Sequence, residues 1–155
     1  MTSADDLLLF CDRALDGMVA IVEELGDELA NSRPALPGAN TPFAVLTHCL
    51  GVIDAWAGHR VAGRPLVRDR EAEFLAKGQV AALVAHAAAV RERLHADVRG
   101  AAFDAALAHE TGHSLESAIR TQGAALLHVL EELAQHHGQM EITRDLLIAG
   151  GVARR

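Results

Sequence analysis

Apolar side chains recur every three or four positions along most of this chain and nowhere alternate for long enough to make a strand. From about Ser3 to Leu29, the positions Leu7, Phe10, Leu15, Met18, Ile21, Val22, Leu25 and Leu29 fall at helical spacing and predict a first helix. Asn31 to Gly38, with Pro34 and Pro37, ends it. Thr41-Pro42 is a strong start signal, a capping threonine followed by proline at the first helical position. The second helix then runs to about Ala62, stopping before Gly63-Arg64-Pro65. The charged stretch Leu66 to Gly78 reads as a crossover holding a short helix over Arg70 to Lys77, and a third long helix covers Gln79 to Asp97. Arg99 to Gly112 has no clear periodicity. Ser114-x-x-Ser117 is expected to open a fourth helix that continues to Ala149 and stops at Gly150-Gly151. The expectation is an all-α, up-down four-helix bundle with one longer crossover, forming a single domain over residues 1–155.

Composition narrows the function classes. Hydrophobic residues make up 50% of the chain, with no tyrosine and alanine and leucine dominant, which favours helix over sheet. The net charge is −7 and the few basic residues are scattered, so neither nucleic acid nor an anionic membrane is an expected partner. No uncharged apolar run approaches the ~20 residues needed to span a bilayer. The acidic start, Met-Thr-Ser-Ala-Asp-Asp, lacks the basic region of a secretion signal. Cys11 and Cys49 lack CxxC spacing and suit reduced thiols, so a cytoplasmic location is expected.

The chemistry lies in the fourth helix. Residues four apart on a helix stack on one face, because each step turns the side chain by about 100°. His128, Glu132, His136 and Gln139 therefore make one polar stripe on an otherwise apolar helix, and His48 sits on the second helix, in an apolar context of its own. Two imidazoles and a carboxylate from two helices are the donor set of a divalent-metal site with an open position, the arrangement of catalytic rather than structural zinc. His48, Glu132 and His136 are the expected ligands, while His137 points about 100° away and is expected at the surface. A thiol reaching such an ion is deprotonated and can attack an electrophilic carbon. His109-Glu110-x-x-His113 reads literally as the zinc-protease motif HExxH, but Gly112 and Ser114 put it at a loop-to-helix junction where the two histidines would not stack. A di-iron bundle would need two Glu-x-x-His motifs and more carboxylates.

His48, then Glu132-x-x-x-His136 with Gly138-Gln139, resembles the DinB-like metalloprotein superfamily, and the carboxylate at 132 resembles its mycothiol-dependent maleylpyruvate isomerase and mycothiol S-transferase branch. Val61-Ala-Gly-Arg-Pro65, Asp69-Arg-x-x-Glu-Phe74 and Glu141-Ile-Thr-Arg-Asp-Leu146 fit the same branch, so the resemblance covers nearly the whole chain. It implies a four-helix bundle, a zinc-type ion (nickel also suits the ligands), mycothiol as thiol cosubstrate, an electrophilic small molecule as second substrate, and a homodimer. The implied activity is thiol transfer or cis–trans isomerisation. The competing class is a non-catalytic or stress-related metal-binding DinB-like protein.

Around the ligands, His128 and Gln139 are expected to line or orient the site, and Trp56, two turns after His48, to face the cavity or the core. Arg70, in the crossover, is the candidate catalytic cation for an acidic substrate, with an ion pair to Glu73 or Asp69 as its alternative. Arg144 is a second arginine of interest. Cys49 is expected to act as a small buried hydrophobe rather than a nucleophile.

Overall fold

A computed structural model of the chain describes residues 3–110 and 118–152. Helix α1 (Ala4–Ala30) opens on a capping box in which Ser3 Oγ accepts from the Asp6 amide and the Asp6 carboxylate accepts from the Ser3 amide, each at 3.0 Å. Leu7, Cys11, Leu15, Met18, Val22 and Leu25 form its buried line. Phe10, expected in the core, is instead 51% exposed, because Cys11 and Leu8 occupy the inward positions beside it. The helical winding breaks at Gly26, whose φ of 63° lies in the left-handed region that glycine alone adopts cheaply.

Helix α2 (Pro42–Ile53) starts where the threonine and proline place it, with Thr41 Oγ1 accepting from the Ala44 amide at 3.1 Å. Nearly every residue of α2 is buried, as befits the innermost helix. The chain then departs from expectation: Asp54–Val61 continues as π-helix rather than α-helix, and the Ala62 amide reaches back five residues to the Ala57 carbonyl at 3.0 Å. Apolar spacing registers a helix but not one extra residue per turn. Gly63, with φ 74°, ends the segment.

The crossover contains α3 (Arg70–Glu73), a single turn capped by Asp69 and shorter than the expected Arg70 to Lys77. Helix α4 (Val80–Gly100) follows, then α5 (Gln122–Val152). Ser114 and Ser117, the expected opening of α5, lie outside the described residues; the helix begins later, with Thr121 Oγ1 accepting from the Ala124 amide at 3.2 Å. The delay has a cause in the preceding loop. Thr121 bridges Ala106, and the amides of Gln122 and Gly123 donate to the carbonyls of Ala105 and Phe103 at 2.9 and 2.8 Å, satisfying donors that a helix start leaves free. At its far end α5 runs through Gly150 to Val152, since glycine permits a helix stop without enforcing one.

Cross-helix pairs give the order of directions. Gly17 meets His137 and Glu24 approaches Arg144 at 3.9 Å, so α1 and α5 run parallel. Asp12 pairs with His95 and Asp27 accepts from the Val80 amide, so α4 runs against α1. His48 meets Glu132 and Trp56 meets His128, so α2 runs against α5. The path is up–down–down–up, with the crossover returning the chain between the two parallel middle helices α2 and α4. On that return it lays α3 beside His48. Among the described residues there is no strand, and no helix is long and apolar enough to cross a membrane.

Candidate metal centre

The i, i+4 spacing on α5 and the antiparallel packing of α2 bring His48, Glu132 and His136 together, each offering a ligand atom within 4.8 Å of the others. Glu132 Oε2 is 3.3 Å from His136 Nε2 and 3.7 Å from His48 Nε2. Ligand bonds of about 2.0–2.1 Å set the donors of a tetrahedral ion about 3.3 Å apart, so the cluster needs little adjustment to close on a divalent cation. The donor chemistry fits as well. Glu73 Oε2 accepts from His48 Nδ1 at 2.8 Å, and Gln139 Oε1 accepts from His136 Nδ1 at 2.8 Å. With both Nδ1 atoms donating, the lone pair of each neutral ring belongs to Nε2, and both Nε2 atoms face Glu132.

Burial grades across the centre. The His48 side chain is 2% exposed and stacks on Phe74 of the crossover at 4.4 Å and 27°, while His136 and Glu132 are 21% and 28% exposed and form the solvent side. His136 bonds and His48 bonds hold the Glu132 carboxyl well below the usual carboxylate range against the opposing effect of burial. The bond to Glu132 raises His136 above the ordinary imidazole value, with burial opposing it and the Arg70 guanidinium opposing it more weakly. The two shifts have one cause, the pairing of imidazolium with carboxylate, and a cation binding here must displace that proton.

The other candidates fall around this cluster. His128 Nε2 stands 3.8 Å from Glu132 Oε1, and its Nδ1 bonds Glu131 at 3.2 Å. Trp56 is buried in the core and meets the His128 ring edge-on at 4.5 Å, with the Arg60 guanidinium carbon over the Trp56 ring, 4.8 Å from its centre. Arg70 is exposed, lies 5.5 Å from the centre of the Phe74 ring, and makes no ion pair among the described residues, so neither Glu73 nor Asp69 claims it. Arg144 is engaged by Asp145 at 2.8 Å and by Glu24. Cys49 is fully buried, and desolvation, then the Glu132 and Glu73 charges, push its thiol far above the ordinary value, as a core role requires.

Two arrangements were not legible beforehand. His137, expected at the surface, is half-buried in a notch of α1 where the absence of a side chain at Gly17 leaves room for its ring. Glu73, one of two alternative partners for Arg70, is gripped instead by Arg68, Nε to Oε1 at 2.6 Å and Nη2 to Oε2 at 2.9 Å. The nearest signal for that was the acidic residue in the crossover itself, but nothing in its spacing relates it to His48. A cleft of about 330 Å³ lies beside the centre, between α2 and the crossover; Glu73 lines it and at the same time bonds His48. As for the HExxH string, His109 and Glu110 occupy a non-helical bend where His109 stacks on His59 at 4.1 Å, and His113 lies outside the described residues.

The second and last helices of this all-α bundle together present two histidines and a glutamate, a site compatible with a divalent metal. A family profile described as mycothiol-S-transferase matches residues 6–149, and the chain belongs to that family. No curated protein matches it.

Proposed function

We propose that this protein is a metal-dependent thiol transferase that uses mycothiol, or a similar small thiol, against an electrophilic small molecule. The observation that carries the reading is the convergence of His48 Nε2, His136 Nε2 and one Glu132 oxygen, with both Nδ1 atoms already committed as donors. These three residues would hold the ion; the donor set suits zinc, and nickel is the next candidate. Such an ion supplies the charge that lowers a thiol's pKa enough to make it nucleophilic at neutral pH.

The chain's own side chains do the remaining work. Gln139 fixes the His136 ring, and Trp56 with His128 forms an apolar and polar wall on the α2–α5 side of the centre. Arg70, exposed and without an ion-pair partner among the described residues, is placed to hold an anionic substrate near His136. Addition of the thiol to an activated carbon gives a conjugate. Addition, rotation about the former double bond and elimination gives cis–trans isomerisation. We place the protein in the cytoplasm as a homodimer, on the strength of its two unpaired buried thiols and of the family.

Metal content of the untagged protein tests the reading, wild type beside His48→Ala and Glu132→Ala. About one equivalent of zinc in the wild type, lost in both variants and accompanied by thiol-dependent turnover of model electrophiles, is expected. Equal metal in all three would remove the site. Metal without turnover for any thiol would leave a metal-binding protein that is not a transferase.

A further inference from the structure

We propose that Glu73, clamped by Arg68 and given room by Gly51, is the positioning residue for His48: it sets the imidazole's tautomer and direction and thereby the strength of metal binding. The proposal rests on the metal site argued above. Glu73 comes from the crossover, not from either ligand-bearing helix, yet its Oε2 accepts from His48 Nδ1 at 2.8 Å. A carboxylate oxygen only accepts, so that contact commits the Nδ1 proton and leaves Nε2 as the donor atom toward the ion.

Glu73 and the His48 ring it meets are together held on three sides. The Arg68 fork binds both oxygens, at 2.6 and 2.9 Å, which fixes the plane of the carboxylate as a single bond could not. Phe74, the next residue, stacks on the His48 ring and limits its tilt. Gly51, one turn after His48 on α2, is the third side. A β-carbon there would stand 2.1 Å from Glu73 Oε1 and 2.7 Å from its carboxyl carbon, so the carboxylate rests against bare helix backbone. The side chains of Glu73 and Arg68 are 11% and 18% exposed, so the three charge-assisted contacts are little screened by water.

An alternative role for the Arg68–Glu73 pair is to pin the crossover to α2 and nothing more. The two roles separate in the metal, because a pin changes stability whereas a positioning residue changes what His48 offers the ion. The cleft beside Glu73 also helps, since water can enter where the side chain is removed and no sealed void is left.

The test titrates the metal-free, full-length protein with Zn²⁺ against a chromophoric chelator, for wild type, Glu73→Ala, Glu73→Gln and Gly51→Ala. Visible spectra of the Co²⁺-loaded forms and thermal unfolding of the metal-free forms accompany it. Loss of an outer partner of a histidine ligand characteristically weakens binding about 10–100-fold. That loss is expected for Glu73→Ala at unchanged stoichiometry, with shifted cobalt bands. Partial recovery is expected for Glu73→Gln, whose amide oxygen can still accept from Nδ1. Gly51→Ala, which leaves the carboxylate in place but displaces it, should weaken binding comparably and add nothing in the Glu73→Ala background. Wild-type affinity and cobalt bands in Glu73→Ala, whatever its stability, would overturn the positioning role alone. A Gly51→Ala effect that persists undiminished in the Glu73→Ala background would do the same. Failure of the wild type to take up zinc would instead overturn the metal site on which the proposal stands.

Discussion

Asp97 is a buried carboxylate on α4, its side chain 4% exposed, and its partner is a guanidinium from the crossover. Arg64 grips it with two parallel bonds, Nη1 to Oδ1 and Nη2 to Oδ2, the latter at 2.8 Å. Replacing Arg64 by methionine keeps the aliphatic stem and removes both. The α4 carboxylate would then stay in the bundle with no compensating charge, a defect that characteristically costs about 3–5 kcal/mol. Two features lower that figure here. Arg64 is itself 36% exposed, so solvent already screens part of the attraction, and water can follow the shortened side chain toward Asp97. A loss of about 2–3 kcal/mol is therefore expected, which in a protein of this size lowers the melting temperature by roughly 4–12 °C. The same logic predicts that Arg64→Met combined with Asp97→Leu regains most of the loss, because the unpaired charge is gone. Urea unfolding of the metal-free wild type, both single variants and the double variant forms the required cycle. Equal stability of Arg64→Met and wild type, within about 0.5 kcal/mol, would show that Asp97 does not depend on Arg64.

Further expectations follow from the centre and the core. The raised His136 contributes stability to the metal-free protein below its ordinary value of 6.5, and that contribution disappears as pH rises through the higher folded value. The lowered Glu132 contributes above its ordinary 4.5 and loses that contribution as pH falls through its depressed value. The pair thus supports the metal-free fold most between those limits; a melting-temperature profile should show a shoulder there that Glu132→Gln flattens, and identical profiles would refute the coupling. Cys49 should resist thiol reagents in the native protein and react only on unfolding, as followed by a chromogenic disulfide; prompt labelling at neutral pH would contradict its burial. Leu133→Ala, fully buried beside Glu132, should cost about 2–5 kcal/mol while leaving zinc stoichiometry intact; loss of the metal at equal helicity would mean that core packing and the centre are not separable there.

The four long helices were readable because each carries many apolar positions at one period, and the opening of α2 was readable because threonine and proline act locally at a helix start. The grouping of Glu132 with His136 followed from spacing on one helix, and His48 joined them as the remaining imidazole in an apolar setting. What was not readable depends on partners distant in sequence. Arg68 rather than Arg70 meets Glu73 because a single turn of α3 sets which side chain faces α2, and that turn is shorter than local pattern suggested. The inward turn of His137 depends on Gly17 in a helix that begins the chain, more than a hundred residues earlier. The start of α5 is set by the loop that satisfies its first amides, through pairings that local sequence does not encode.

The π-wound stretch Asp54–Val61 continues the helix that carries His48 and contains Trp56. A helix wound this way carries an inserted residue that an α-helix could shed. Deleting one position between Ile53 and Val61 would let the stretch rewind as α-helix, and the tighter turn would take back much of the ~100° that a lost residue otherwise costs. Positions within the stretch, Trp56 among them, would change face toward His128, while His48, Glu132 and His136 kept their register. The wide turn is thus slack, one residue deep, through which insertion or deletion can exchange the side chain that meets His128 while the rod on either side keeps its direction.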